Sequence, residues 1–292
     1  MIFTLENNEL RVGINQRGGC LASIVDKATG DELLYQPLPD SWQGQDVVIF
    51  PFIARLKGKT YTHKGKEYSL KNHGLARYYD FQLEEARDGY LSIVFQSDEA
   101  TKQEYPFDFL LRVIYSVEGK KLNIRYEVEN KSGEVLPFGI GAHPAFRIDV
   151  EKTEQEWLFE GNYICFDKPL SLTRMMFEPT GSFIIGEEPY GTVDRIELSQ
   201  EIIRRYATLA LKGEGLNNVT LLRKNGRKIR FNYPKIEYFI LWSYLPFGDF
   251  VAIEPWMSLP DYDDCPKEIM EKKSLIHLEP GQTYYFDYSV SI

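Results

Sequence analysis

The sequence is short of cysteine and contains no long apolar run. Its 292 residues include three cysteines, Cys20, Cys165 and Cys265, which are far apart and form no CxxC pair. An odd number at such spacings argues against a disulfide framework or a zinc site, and it favours a reducing compartment. No apolar stretch is long enough to span a bilayer, and the N-terminus lacks the pattern of a signal peptide. We therefore expect a cytoplasmic protein.

Positive charge is also scarce, with 34 Lys and Arg against 43 Asp and Glu and a formal net charge of -9. Such a surface repels phosphate backbones and anionic lipid, so we expect neither a nucleic acid nor a membrane partner. The motifs GxGxxG, GxxxxGK[ST], HExxH and GxSxG are absent, which disfavours dinucleotide-dependent hydride transfer, P-loop phosphoryl transfer and serine hydrolysis. The histidines lack metal-ligand spacing, and we expect no metal and no cofactor.

Short segments in which apolar and polar residues alternate dominate the chain. The clearest is 107–130, FDFLLRVIYSVEGKKLNIRYEVEN, which predicts a hairpin around Glu118-Gly119. Further hairpins are predicted around Lys64-Gly65 and around Asn225-Gly226, where the Asn-Gly pair indicates a type I′ turn. The C-terminal TYYFDYSVSI predicts a final strand, since alternation at period two is typical of half-buried strands.

Helical patterns are few. DDCPKEIMEKK, 263–273, predicts a short helix, and SQEIIRRYATLAL, 199–211, predicts either a helix or a loop leading into a strand. No linker, low-complexity tract or internal repeat divides the chain. These observations predict one domain over 1–292, of the all-β class, folded as a large antiparallel β-sandwich with few short helices.

Of the four histidines, His143 has the most unusual setting, in FGIGAHPAF at 138–146. The nearby glycines allow a ligand or another backbone to approach closely. Pro144 biases His143 toward an extended conformation. A histidine held in a fixed direction beside open space fits this pattern, and a buried histidine bonded to the backbone fits it equally well.

The other three histidines are less distinctive. His73 is followed at once by Gly74, and a structural role is slightly favoured for it. His63 lies among lysines in a predicted hairpin, a pattern typical of solvated surface. His277, near the last predicted strand, is interpreted as structural.

Glu254 is the carboxylate that stands out. It follows the apolar run Phe250–Ile253 and precedes Pro255 and Trp256. Removing a carboxyl from water raises its pKa, as a general base requires. A glutamate at a solvated strand end is the other interpretation, and it is commoner for such a pattern.

Basic and aromatic side chains supply candidate binding groups. Arg55 follows an apolar run, and Arg77 lies close to His73 in sequence. Each guanidinium suits either an ion pair or the binding of a hydroxyl or phosphate. The indoles of Trp42, Trp242 and Trp256 suit either stacking on a sugar or filling the core.

Several of these segments, in their order and spacing, resemble the aldose 1-epimerase (galactose mutarotase-like) family, and most closely its LacX-like branch. The matching segments are FPFIARLKGKTY at 50–61, HGLAR at 73–77, YPFDFLLRVIY at 105–115, FGIGAHPAF at 138–146 and AIEPW at 252–256. The resemblance implies a β-sandwich with a sugar in a cleft on one sheet. It also implies cofactor-free interconversion of the α and β anomers of an aldose.

Roles for individual residues follow from the same resemblance. Glu254 would take the proton from the C1 hydroxyl, and His143 would protonate the ring oxygen. His73 and Arg55 would hold sugar hydroxyls, and Arg77 and Trp242 complete the expected binding residues. The partner would be a small-molecule sugar, bound by a monomer or a homodimer.

Two departures bear on the substrate. The family's additional sugar-binding aspartate has no clear counterpart, although Asp167 and Asp194 are candidates. Arg77, in its HGxAR context, also resembles hexose-6-phosphate epimerases of the same fold, and with Arg55 it would make a bidentate anion site. A sugar phosphate is therefore an alternative substrate, and a non-catalytic carbohydrate-binding module is an alternative function.

Overall fold

The chain is organised around one large antiparallel sheet and one small one. The computed structural model describes all residues, 1–292. The small sheet has the order β1-β2-β3-β4. Its strands are β1 (Ile2–Glu6), β2 (Leu10–Asn15), β3 (Leu21–Asp26) and β4 (Asp31–Glu32).

The remaining strands belong to the large sheet or to three two-stranded ribbons. In chain order they are β5 (Val48–Ile49), β6 (Thr60–His63), β7 (Lys66–Ser69), β8 (Gln82–Arg87), β9 (Tyr90–Gln96), β10 (Phe109–Glu118), β11 (Lys121–Asn130), β12 (Leu136–Phe138), β13 (Gly141–Ala142), β14 (Ala145–Arg147), β15 (Glu151–Lys152), β16 (Trp157–Leu158), β17 (Tyr163–Phe177), β18 (Ile184–Glu197), β19 (Thr208–Lys212), β20 (Asn218–Leu222), β21 (Lys228–Asn232), β22 (Tyr238–Trp242), β23 (Phe250–Trp256), β24 (Ile276–Leu278) and β25 (Thr283–Ser291). The helices are α1 (Gln200–Tyr206) and four 3₁₀ turns, Lys57–Lys59, Ala76–Tyr78, Thr101–Gln103 and Ile269–Glu271.

The large sheet has fifteen strands in the order β5-β13-β23-β22-β19-β17-β20-β21-β25-β11-β10-β9-β8, with β14 beside β23 and β18 beside β17. Its two halves face each other across the core. Phe50, directly after β5, packs on Phe109 of β10 with ring centroids 4.9 Å apart. The sheet therefore closes over its own buried face, which confirms the predicted all-β sandwich.

The alternating pattern was a reliable guide to the strands. In β10 every second side chain from Phe109 to Tyr115 is buried, and β10 pairs with β11 along its whole length. The predicted type I′ turn at Asn225-Gly226 is wrong, because only Gly226 has a positive φ there. Both residues of Lys64-Gly65 have positive φ, 51° and 79°, so the two-residue turn of that kind joins β6 to β7.

The helix predictions have different outcomes. Residues 199–211 form α1 followed by β19, and the Ser199 hydroxyl caps α1 by accepting from the Ile202 N–H at 3.2 Å. The predicted helix over 263–273 is wrong, since only Ile269–Glu271 is helical. The Thr62 N–H donates to the Lys267 carbonyl at 2.8 Å, and this pairing draws the segment along β6 instead. No helix has the length and apolar character required to cross a bilayer.

Candidate active site

All six predicted site residues line one cleft of about 390 Å³ on the half of the large sheet that contains β13, β22 and β23. These residues are His143, Glu254, His73, Arg55, Arg77 and Trp242. Trp42 and Trp256 line it as well. The volume lies near the lower end of the range usual for small-molecule sites, about 300–1,000 Å³.

His143 and Glu254 face each other at the floor of the cleft. The Nε2 atom of His143 is 3.3 Å from Oε1 of Glu254. His143 is 7% exposed and Glu254 only 1%, so the glutamate is not at a solvated strand end. It lies inside β23, and the indole Nε1–H of Trp256 donates to its Oε2 at 3.1 Å.

Pairing around β23 explains why these two side chains meet. β13 pairs with β23 at Gly141 and Trp256, and β14 pairs with the earlier part of β23, so His143 between them is held alongside Glu254. A Cβ on Gly141 would lie 2.8 Å from the Trp256 ring. The glycines noted in the sequence therefore permit close packing on one side of His143.

Burial sets the protonation of the pair. Desolvation raises the pKa of Glu254 well above its ordinary value, the charge of Asp46 raises it further, and the hydrogen bond from Trp256 opposes the rise. Burial lowers the pKa of His143 to about 3, and the charge of Arg77 also lowers it. Both shifts disfavour a charged group. Burial therefore favours a protonated, neutral Glu254 beside a neutral His143.

His73 is fixed by two hydrogen bonds to one residue. The backbone N–H of His73 donates to the Ala54 carbonyl at 2.7 Å. The ring Nδ1 of His73 accepts from the backbone N–H of Ala54 at 3.2 Å. Because Nδ1 is an acceptor, the neutral ring has its proton on Nε2. Burial lowers the pKa of His73 well below its usual value, and the charges of His143, Arg77 and Arg55 add to this.

The backbone at His73 explains the glycine that follows it. His73 has φ 64° and Gly74 has φ 76°. A Cβ on Gly74 would lie 2.4 Å from the Phe50 carbonyl oxygen. Only glycine fits there, and this tight turn brings the His73 ring to 5.5 Å from the ring of His143, centroid to centroid and nearly perpendicular.

The two arginines differ from most charged residues of the chain in having no ionic partner. Arg55 is exposed and Arg77 half-buried, and neither guanidinium forms an ion pair or a hydrogen bond within the protein. Arg77 instead lies over the ring of Tyr78, 5.2 Å from its centroid. The cleft thus has two cationic groups available to a bound molecule.

Tryptophans enclose His143. The Trp42 and Trp242 rings have centroids 5.1 and 5.3 Å from the imidazole, and they meet each other edge to face at 5.4 Å. These indoles both exclude water from the pair and present rings to the cleft.

No sequence pattern indicated Asp46, a buried carboxylate beneath the site. It is 4% exposed and accepts backbone N–H bonds from Leu21 at 2.9 Å, Val47 at 2.7 Å and His143 at 3.2 Å. Burial raises its pKa to about 6, although these three bonds lower it. Asp46 therefore holds the main chain of His143 in place.

The aspartates considered from the sequence lie elsewhere. Asp167 is exposed and pairs with Arg230 at 2.9 Å, and Asp194 is exposed on β18. Neither lines the cleft, so neither is a counterpart of the family's sugar-binding aspartate.

Replacing Asp46 by asparagine tests the ionisation of this buried group. A carboxyl whose pKa rises from 3.8 to about 6 on folding destabilises the fold progressively as pH rises between those values. We expect the stability of Asp46→Asn, relative to wild type, to improve by roughly 2 kcal/mol between pH 4 and pH 7. Denaturant titrations at several pH values measure it, and a difference that is constant with pH would contradict the assignment.

His63 corrects an expectation from the sequence. It is 5% exposed, not solvated, and it lies between Glu134 at 3.5 Å and Glu268 at 3.4 Å. It does not line the cleft. His277 is exposed, with Nε2 3.1 Å from the Met270 carbonyl. No group of three or more His, Cys, Asp and Glu side chains is placed to bind a metal ion.

Comparison with known proteins gives a consistent result. The family model described as aldose 1-epimerase matches residues 1–291. Protein LacX (plasmid) of Lactococcus lactis subsp. lactis is 27% identical over 301 residues, covering 100% of this chain and 99% of that protein. A galactose mutarotase related enzyme from Lactobacillus acidophilus superimposes with a TM-score of 0.92 at 28% identity, covering 100% of this chain and 97% of that one.

A second solved structure, a galactose mutarotase-like protein from Lactobacillus casei, has a TM-score of 0.90 at 25% identity, covering 100% of this chain and 99% of that one. The family match extends over essentially the whole sequence, and both structures share the complete fold. The chain belongs to the aldose 1-epimerase family.

Proposed function

We propose that this protein interconverts the α and β anomers of an aldose, with Glu254 and His143 as the acid–base pair. The observation that carries the proposal is the contact between two buried titratable groups, 3.3 Å apart, in a cleft sized for a small molecule. A protein that only binds sugar has no need of such a pair.

The proton count of the pair matches the reaction. Ring opening removes a proton from the C1 hydroxyl and delivers a proton to the ring oxygen. The reaction requires the proton on His143, so that a carboxylate accepts the first proton and an imidazolium donates the second. Burial favours the neutral form of both groups, so the proton must first pass from Glu254 to His143 across the 3.3 Å contact. After rotation about the C1–C2 bond the same steps run in reverse, and no electrons are transferred.

The surrounding groups suit the binding of a sugar ring. His73 presents Nε2–H as a donor, Arg55 adds a cationic donor, and the Trp242 indole offers an apolar face beside them. In a cleft with little water, such donors stabilise negative charge that develops on an oxygen during reaction.

A sugar phosphate is the second candidate substrate. The observation that favours it is the pair of unpartnered arginines, Arg55 and Arg77, on the wall of the cleft. Guanidinium groups bind phosphate through charge-assisted, often bidentate hydrogen bonds.

Polarimetry, or proton NMR of the anomeric signals, distinguishes these possibilities. Freshly dissolved α-D-glucose, α-D-galactose and glucose 6-phosphate are followed with and without protein. Faster equilibration of a free sugar supports a mutarotase acting on free aldoses. Acceleration of the phosphate alone moves the assignment to a hexose-phosphate epimerase, and no acceleration of any of them contradicts the proposal.

Arg77→Ala is expected to reduce kcat/KM for the phosphorylated sugar about 10- to 100-fold, while changing that for the free sugar much less. The reason is the loss of one charged hydrogen bond, on the order of 1.5–3 kcal/mol. Arg87→Ala, at an exposed arginine of β8 outside the cleft, is the matched control. Equal losses on both sugars would count against phosphate recognition by Arg77.

A further inference from the structure

The longest hairpin of the molecule ends at the candidate active site. β17 and β18 pair from Tyr163 and Glu197 at the base to Phe177 and Ile184 at the far end. Most side chains of β18 are exposed. The hairpin tip, residues 177–183, nevertheless lies against the cleft. Its members Phe177, Pro179, Thr180 and Gly181 form part of the lining.

The hairpin tip is internally organised. The Glu178 carboxylate accepts the N–H groups of Thr180 and Ser182, both at 2.7 Å. The Gly181 N–H donates to the Glu178 carbonyl at 2.8 Å, and the Glu178 N–H donates to the Phe183 carbonyl at 3.0 Å. A turn with this many internal bonds has a defined shape.

Directly beside its tip, the hairpin is also anchored to the segment that follows β23. Ile184 is fully buried in the same apolar cluster as Trp256. Its N–H donates to the Asp261 carbonyl and its carbonyl accepts from the Asp263 N–H, both at 2.8 Å. The Asp261 side chain is itself buried and pairs with Lys272 at 2.7 Å.

The chemistry of the hairpin tip differs from that of the rest of the cleft. The three side chains that it contributes, Phe177, Pro179 and Thr180, are uncharged, and the Thr180 hydroxyl is already bonded to Glu178. Its one carboxylate, Glu178, is occupied within the turn. A wall without free polar groups selects by shape and apolar contact, and it takes no part in proton transfer.

We infer that the hairpin tip determines the size of the sugar that the cleft accepts, admitting one ring and obstructing a second ring joined to it. The inference rests on the proposed function for its substrate. The hairpin tip would affect specificity and leave the chemistry alone, since it forms no hydrogen bond or ion pair with Glu254 or His143. The cleft, of about 390 Å³, lies near the lower end of the range for small-molecule sites, about 300–1,000 Å³, and the hairpin tip forms one of its walls.

The test removes the wall while keeping the sheet. In one variant Asn-Gly replaces residues 178–183, so that a two-residue turn joins the paired residues Phe177 and Ile184. A second variant, Phe177→Ala, keeps the full turn. Ile185→Ser, at an exposed position of the same hairpin outside the cleft, is the control. Circular dichroism and thermal midpoints establish that each variant is folded.

Two readouts are compared for D-galactose and for the reducing disaccharide lactose. One is acceleration of anomer equilibration, and the other is binding followed by the fluorescence of the three tryptophans that line the cleft. We expect wild type to favour galactose. The shortened hairpin should raise the lactose-to-galactose ratio of kcat/KM, and of association constants, about tenfold, with a smaller change in Phe177→Ala and none in Ile185→Ser.

The outcomes separate this inference from the proposed function. Binding without turnover would sink the proposed reaction, while the ratio of binding constants would still decide the role of the hairpin tip. Wild type that handles lactose as well as galactose would overturn the inference. So would a folded, shortened variant with an unchanged ratio, or the binding of neither sugar by any variant.

Discussion

Glu254→Gln is expected to lower the catalysed rate of anomer interconversion by about 10²–10⁴-fold, the contribution typical of one general acid or base. Glutamine has nearly the same shape, and its side-chain oxygen accepts the Trp256 Nε1–H in the same way, but it cannot accept the C1 proton. The fold should survive, because burial already favours an uncharged group at this position by raising the pKa of Glu254.

The rate is measured by polarimetry on fresh α-D-galactose, after subtraction of spontaneous mutarotation without protein. Glu237→Gln, outside the cleft, is the matched control and should leave the rate unchanged. A folded Glu254→Gln protein with a near-native rate would eliminate Glu254 as the base.

His143→Asn is expected to reduce the rate by a similar factor, about 10²–10⁴-fold, because the ring oxygen loses its proton donor. Since both groups act in one proton transfer, the double variant with Glu254→Gln should be little worse than either single variant. Losses that multiply would show that the two residues act independently, which the proposed mechanism does not allow.

The same variant has a signature in stability. The folded state holds the pKa of His143 at about 3, below its ordinary 6.5. The unfolded chain therefore binds more protons between those values, and His143 makes the wild type less stable as pH falls from about 6.5 toward 3. His143→Asn lacks this contribution. Its stability relative to wild type should therefore increase as pH falls through that window, and denaturant titrations measure the increase. A parallel pH dependence of the two proteins would show that His143 is not held neutral.

Much of the fold follows from local pattern. Alternation in 107–130 identifies β10 and β11 because one face of each strand is buried by the core. The turns were harder. A type I′ turn forms at Lys64-Gly65 and not at Asn225-Gly226 because only the first pair alone separates two paired strands. The segment 263–273 has helix-forming residues, and its pairing with β6 comes from a distant part of the chain.

The local sequence pointed to only part of the site, and the family resemblance supplied the rest of the six predicted residues. Gly74 and the residues around His143 mark close approaches, and those are visible in sequence. The burial of Glu254 depends on β22 and on the strands flanking His143, so the sequence alone favoured a solvated glutamate. Asp46 lies in an ordinary loop sequence, and its partners come from three separate positions. His63 looked solvated because the carboxylates that surround it are remote in the chain.

The position of β18 at the margin of the sheet has a consequence for solution behaviour. Among the strands of the sheet β18 pairs with β17 alone. Apart from Ile184, which is bonded to Asp261 and Asp263, its residues leave one row of backbone donors and acceptors open to other chains. Such edges recruit foreign strands unless they are guarded. Pro189 interrupts the donor row, Glu187 and Glu188 place charge along it, and three register shifts against β17 bend it. The hairpin can therefore extend to the cleft without acting as a template for aggregation.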